Sequence, residues 1–175
     1  MSAHFNYIEV EDILTTAEAR NEKPFLLILD GVEDPRNFGA ILRTAEAAGV
    51  HGVIIPKNRS VSLNETVEKT STGAASIVPV ARVTNISQTI EKLKEKNVWI
   101  VGIEIDGRER YDQIDYAGRG IALVFGGEGN GMSRMVKEHC DHLALIPMRG
   151  EITSLNVSVS AGILMFEVNR QRDQK

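Results

Sequence analysis

The chain has 175 residues, 42% hydrophobic and 25% charged, the composition of an ordinary globular domain whose core needs no disulfide or metal to fold. A single cysteine, Cys140, excludes an internal disulfide framework and argues against a cysteine-built metal site, and no apolar run approaches bilayer-spanning length. The net charge of −4 runs against the basic surplus that phosphate binding normally brings, so any grip on a nucleic acid has to be local or supplied elsewhere.

Met1 to Val10 shows no basic region followed by an apolar run, which argues against a secretion signal and for a cytoplasmic protein without a membrane partner. Residues 1–23 read as a linker or N-terminal helix: Asp12 to Glu22 is charged and alanine-rich, and Asn21-Glu22-Lys23-Pro24 breaks it. From residue 24 to 175 apolar runs alternate with helical patterns. Phe25 to Leu29 reads as a buried strand and Asp34-Pro35 as a turn. Phe38, Ile41, Leu42, Ala45 and Ala48 follow at helical spacing, with Gly49 as the stop. Strands are then expected at Gly52 to Ile55, Ile77 to Val80, Val98 to Ile103, Ile121 to Phe125 and His142 to Ile146. Helices are expected at Leu63 to Ser71, Ile86 to Lys96, Ser133 to His139 and Leu155 to Asn169. Strands apolar throughout, alternating with helices, imply one α/β domain: about six mostly parallel strands with helices on both faces.

The segment Phe125-Gly126-Gly127-Glu128-Gly129-Asn130-Gly131-Met132-Ser133 joins a strand to a helix and invites a nucleotide reading. It fails the dinucleotide fingerprint G-x-G-x-x-G, because Gly127 leads to Met132 and Gly129 to Arg134. It fails the P-loop pattern as well, since no lysine follows Gly131. What remains is either a tight turn or a glycine-permissive loop at a strand's carboxyl end, where open α/β sheets bind ligands.

Three segments are informative together: Asp34-Pro35-Arg36-Asn37-Phe38-Gly39-Ala40-Ile41-Leu42-Arg43-Thr44-Ala45, then Leu123 through Ser133, then Ile146-Pro147-Met148-Arg149-Gly150 with Ser154-Leu155-Asn156-Val157-Ser158-Val159-Ser160. In this order and spacing they resemble the three motifs of the SpoU/TrmH branch of the SPOUT methyltransferases, over roughly residues 25–170. Leu26 to Val32 and the ending around Phe166-Glu167 look most like the bacterial members that methylate a guanosine ribose in large-subunit ribosomal RNA. The resemblance implies methyl transfer from S-adenosylmethionine to an RNA ribose 2′-hydroxyl, a C-terminal trefoil knot, and a homodimer with shared active sites. The last helix gives the dimer separate support, being apolar on most of its circumference. A central core helix of a monomer would look the same.

The resemblance places the cofactor against the backbone of Gly126, Ile146 and Leu155, although Ile146 and Leu155 would also suit plain core. It assigns Arg43 to the target hydroxyl. A guanidinium essentially never gives up its proton, so stabilising a developing alkoxide or gripping a phosphate suits it better than acting as base. Asn37 matches the first-motif asparagine and would also make an N-cap. Glu128 matches the second-motif glutamate, placed to accept from Arg43 or substrate. Ser154 and Asn156 match the third-motif polar pair, Ser154 as a possible cap and Asn156 needing a partner if buried. Arg149, Lys57 and Arg59 are candidate RNA phosphate contacts, or ordinary surface charges. His139-Cys140-Asp141-His142 straddles a helix–strand junction, where side chains diverge, so no metal is expected.

Ribosomal-RNA enzymes of this type usually carry a further N-terminal RNA-binding domain, and Phe5 to Asp12 looks like the end of its linker. Two alternatives stay open: a transfer-RNA 2′-O-methyltransferase, and a non-catalytic RNA-binding or assembly factor of the same fold. The second predicts decay of Arg43, Glu128 or Asn156, and all three match the motifs.

Overall fold

A computed structural model describes residues 5–174; Met1 to His4, part of both the expected linker and the stretch read for a signal, lie outside them. The helices are α1 (Val10–Ala19), α2 (Pro35–Ala48), α3 (Glu65–Thr70), α4 (Ile86–Glu95), α5 (Arg134–His139) and α6 (Val157–Asp173). The strands are β1 (Phe25–Asp30), β2 (Gly52–Pro56), β3 (Val80–Val83), β4 (Val98–Ile103), β5 (Glu109–Arg110), β6 (Gly120–Gly126) and β7 (His142–Leu145). All pair in parallel in one sheet of order β3-β2-β1-β6-β4-β7-β5. The fold class is the expected one, with seven strands instead of six. The added strand, β5, is two residues long, Glu109-Arg110, and carries no apolar signal.

The strand sequences are apolar throughout because both faces are covered. In β1, Phe25, Leu27 and Leu29 pack with α2 and α6 residues such as Phe38, Ile41, Leu42, Leu164 and Met165. Leu26 and Ile28 pack on the other face with Ile13 of α1, Ile90 and Leu93 of α4, and Val136 of α5. β3 starts three residues later than expected, because Ala74–Ser76 forms a short 3-10 turn and Ile77 is exposed. No described helix is long and apolar enough to cross a membrane.

The amino ends of the strands are tied off by side chains. Arg172 of α6 donates to the carbonyls of Tyr116, Lys23, Pro24 and Arg119 at 2.9–3.2 Å. Buried His51 accepts from the Phe25 N–H through Nδ1 (2.9 Å), which leaves Nε2 to donate to Glu22 (3.0 Å).

From β1 the chain steps outward through β2 to β3, then crosses to β4 on the far side of β6. The reversal lies at β1-β6-β4, so the crevice beyond the carboxyl ends of these strands is where an open sheet of this kind takes its ligand.

Candidate active site at the carboxyl ends of the central strands

β6 ends at Gly126, opposite Asp30 of β1, with Gly102 of β4 beside Val124. The glycine-rich loop that follows folds back tightly on the protein. A Cβ on Gly126 would overlap the backbone of Gly131 and Met132, and one on Gly127 would overlap the Gly31 carbonyl. These two glycines are therefore required by the chain's own packing, whatever else the loop binds. Carboxylates from both flanking strands hold the loop: Asp30 Oδ2 accepts from the Ser133 N–H at 2.7 Å, and Glu104, just past β4, accepts from the Met132 N–H. Burial pushes the Glu104 carboxyl above its ordinary range, opposed by the Lys137 ammonium and the Met132 N–H.

Three sequence-distant side chains meet above this loop. Asn37 Nδ2 donates to Glu128 Oε1, and Asn156 Nδ2 donates to Asn37 Oδ1 at 3.2 Å. Asn156 Oδ1 in turn accepts from the N–H of Ser158 at 2.9 Å and from its hydroxyl. One polar chain thus joins all three motif segments. Asn37 is only 8% exposed, and its amide uses both ends, as a buried amide must.

The geometry corrects several expectations. Asn37 is not the N-cap of α2: Asp34 takes that place, accepting from the Arg36 N–H at 2.8 Å, with Pro35 in the first turn. Ser154 does not cap α6; Asn156 does, and it is exposed instead of buried. Glu128 accepts from Asn37 and not from Arg43.

Arg43 lies on the exposed face of α2, one turn pair beyond Arg36, and neither guanidinium has a hydrogen bond or ion pair among the described residues. Lys57 and Arg59 after β2 and Arg149 after β7 are likewise exposed and unpaired. Ile146 packs half-buried against the core, whereas Leu155 is 40% exposed and Ser154 is exposed. None of the main-chain groups of residues 147–155 hydrogen-bonds within the described residues, so this run has free donors and acceptors. A cleft of about 490 Å³ opens over the ends of β1, β2 and β3, and includes Glu128 but neither Ile146 nor Leu155. No group of three or more His, Cys, Asp or Glu among the described residues could hold a metal; His139 faces Glu91 while His142 faces Glu109. Asp30, Glu104 and Ser158 were missed by sequence reasoning. The only signal for the two carboxylates was an acid placed directly after an apolar strand.

Residues 24–166 match the model of the SpoU rRNA Methylase family. The putative TrmH family tRNA/rRNA methyltransferase YacO of Bacillus subtilis is 52% identical over 171 residues, covering 98% of this chain and 68% of its own length. The 23S rRNA (guanosine-2′-O-)-methyltransferase RlmB of Escherichia coli K12 is 53% identical over 162 residues, covering 93% of this chain and 66% of its own. The chain thus spans about two thirds of these curated relatives. Among solved structures, the AdoMet-bound rRNA methyltransferase from Sinorhizobium meliloti superposes with a TM-score of 0.83 at 29% identity, over 94% of this chain and 61% of that one. The TrmH/SpoU tRNA modifying enzyme of A. aeolicus does so with a TM-score of 0.80 at 28% identity, over 93% and 85%. With three motif segments hydrogen-bonded at one place and a family model matched over most of its length, the chain belongs to the SpoU rRNA methylase family.

Proposed function

We propose that this chain is the catalytic domain of an RNA 2′-O-ribose methyltransferase that draws its methyl group from S-adenosylmethionine and acts on a guanosine of large-subunit ribosomal RNA. The observation that carries the reading is the polar chain Glu128–Asn37–Asn156. It spans residues 119 positions apart in sequence and sits beside α2, which bears an unpaired Arg43. The names of the relatives supply the substrate class.

The residues present suit the cofactor. Ile146 and Leu155 offer apolar surface, and the unpartnered main chain of 147–155 offers donors and acceptors for an adenosine. When bound, S-adenosylmethionine supplies an activated methyl on sulfur, which the ribose oxygen takes by in-line displacement, leaving the thioether. The chain's own residues then have two tasks: to hold the hydroxyl in line, and to stabilise negative charge as its proton departs to water. Arg43 performs the second, because its guanidinium donates without itself titrating. Glu128, fixed by Asn37, is an acceptor aimed at the substrate side of the cleft. Arg149, Lys57 and Arg59 contact RNA phosphates.

The chain acts as a homodimer in this reading. Val159 and Phe166 on α6 are both 50% exposed, Ile152 and Leu155 shortly before it are 78% and 40% exposed, and Gly162 of α6 lies against Thr44 of α2, next to Arg43; a second copy is the natural cover for such apolar side chains. Light scattering at micromolar concentration should return twice the chain mass.

The test of function is to map ribose 2′ positions in total RNA from cells with and without the gene. One guanosine of large-subunit RNA should lose its methyl group. Loss from a transfer RNA would move the substrate, and no change at any ribose would remove the enzyme reading.

A further inference from the structure

The cleft over β1, β2 and β3 is polarised. Glu33 and Glu128 lie towards its β1–β6 end, and Asp30 there is already committed to the Ser133 N–H. The β2–β3 end carries no acid. Pro56 pairs with Val83, and the Lys57 N–H donates to the Val83 carbonyl (2.9 Å), so Asn58 and Arg59 leaving β2 lie beside Thr84 and Asn85 leaving β3.

At that end α4 begins. It has ten residues and no acid in its first turn. Its N-cap, Asn85, satisfies the Gln88 N–H (3.0 Å), which leaves the N–H groups of Ile86 and Ser87 without an acceptor among the described residues. A second, independent feature points to a ligand. Ser87 is only 8% exposed, lines the cleft, and its hydroxyl has no partner among the described residues. Thr89, one turn along the same helix, instead bonds back to the Asn85 carbonyl. The residue is nine-tenths buried while its hydroxyl is not sealed off from solvent, so Ser87 is a donor open to the cleft. Two free amides at the positive end of a helix, a free hydroxyl and an unpaired guanidinium form the donor set that an anionic oxygen group takes.

We propose that the first turn of α4, with Ser87, Thr84 and Arg59, is a phosphodiester-binding subsite for the RNA, separate from the methyl-transfer centre. It rests on the reading of the chain as an RNA methyltransferase. β3 stands three strand spacings from β6, about 14 Å, so the phosphate held belongs to a nucleotide flanking the target. The subsite fixes the register of the strand while Glu128, at the other end of the same cleft, faces the target.

The test uses the full chain and a single-stranded ribosomal RNA oligonucleotide, with affinity measured across a salt series. Arg59→Asn, which suits the left-handed backbone at this position (φ 53°), should weaken RNA binding about tenfold and make the salt slope shallower by about one unit. Ser87→Asp should weaken binding at least as much while leaving Tm unchanged or higher, because an acid favours a helix N-terminus. Should that variant not fold, Ser87→Ala with Arg59→Asn carries the test. Lys92→Gln removes a charge from the last turn of the same helix and should change nothing. S-adenosylmethionine affinity should stay at the wild-type value in all of them. Wild-type RNA affinity and slope in both the Arg59 and Ser87 variants, or no RNA binding by the wild type, overturns the subsite. A wild type that binds RNA but not S-adenosylmethionine, with the variants still weakened, overturns the enzyme reading and leaves the phosphate site standing.

Discussion

The two ends of the sheet are built from the same residue types and use them in opposite ways. At the amino end three arginines are consumed, although Lys23 and Lys96 there have no partner among the described residues: Arg172 donates to four carbonyls, Arg170 binds Glu167, and Arg119 stacks on Trp99 while bonding His142. At the carboxyl end, and down the exposed face of α2, Arg36, Arg43, Lys57, Arg59 and Arg149 have no partner among the described residues. A charge with every hydrogen bond satisfied contributes stability; one held free beside a cleft is available to a ligand. The acidic total charge of the chain hides this asymmetry, because it averages over both ends.

Substitutions at the two ends should therefore separate rate from stability. The largest effect is expected at Arg43. Arg43→Ala should lower the single-turnover rate by about 10²–10³ while leaving Tm and cofactor affinity near wild type. Arg43→Lys should also be poor, since an ammonium cannot reproduce the planar fork. Arg172→Ala should do the reverse. Leaving the Tyr116, Lys23 and Arg119 carbonyls without a donor, while Pro24 keeps the Ile121 N–H, costs about 2–4 kcal/mol, read as a lower denaturant midpoint, with methyl transfer by the folded fraction retained. Loss of activity with unchanged stability in the Arg172 variant would break the comparison.

Asn37 sharpens it, because it belongs to both categories. Asn37→Ala removes the donor to Glu128 and the acceptor of Asn156 Nδ2, both open to water, so it should cost about 0.5–1.5 kcal/mol in stability and also reduce turnover. The smallest effect is expected at Glu104. Its carboxyl is raised by burial, so the proton is favoured in the folded state, and its stabilising contribution is full below the unfolded pKa and lost as pH rises through the folded value. Glu104→Gln keeps an acceptor for the Met132 N–H and should be neutral or stabilising by under about 1 kcal/mol at pH 7. Relative to wild type that gain should vanish in acid, which urea midpoints at pH 4 and pH 7 would reveal.

What the sequence disclosed follows from which signals are local. Both-face burial writes itself as continuous apolar runs, so β1, β4 and β6 are legible from residues alone. β5 is not, because a two-residue edge pairing such as Glu109-Arg110 leaves no pattern. At the site, Asn37, Glu128 and Asn156 were legible only through the family resemblance, and their mutual bonding was not. Asn37 looked like a cap because asparagine is a good one, but Asp34-Pro35 had already set the helix start three residues earlier. At Gly126 and Gly127 the chain's own turn already requires glycine, since a Cβ at either would overlap backbone. Asp30 and Glu104 are single acids after strands, which carry meaning only once the sheet order puts them on either side of β6.

The most direct test of the account is a single turnover by the wild-type chain with labelled S-adenosylmethionine and large-subunit ribosomal RNA, quenched and digested to nucleosides. The account predicts label in 2′-O-methylguanosine and in no base. Label on a nucleobase, or none in the RNA from folded protein that binds the cofactor, would contradict it.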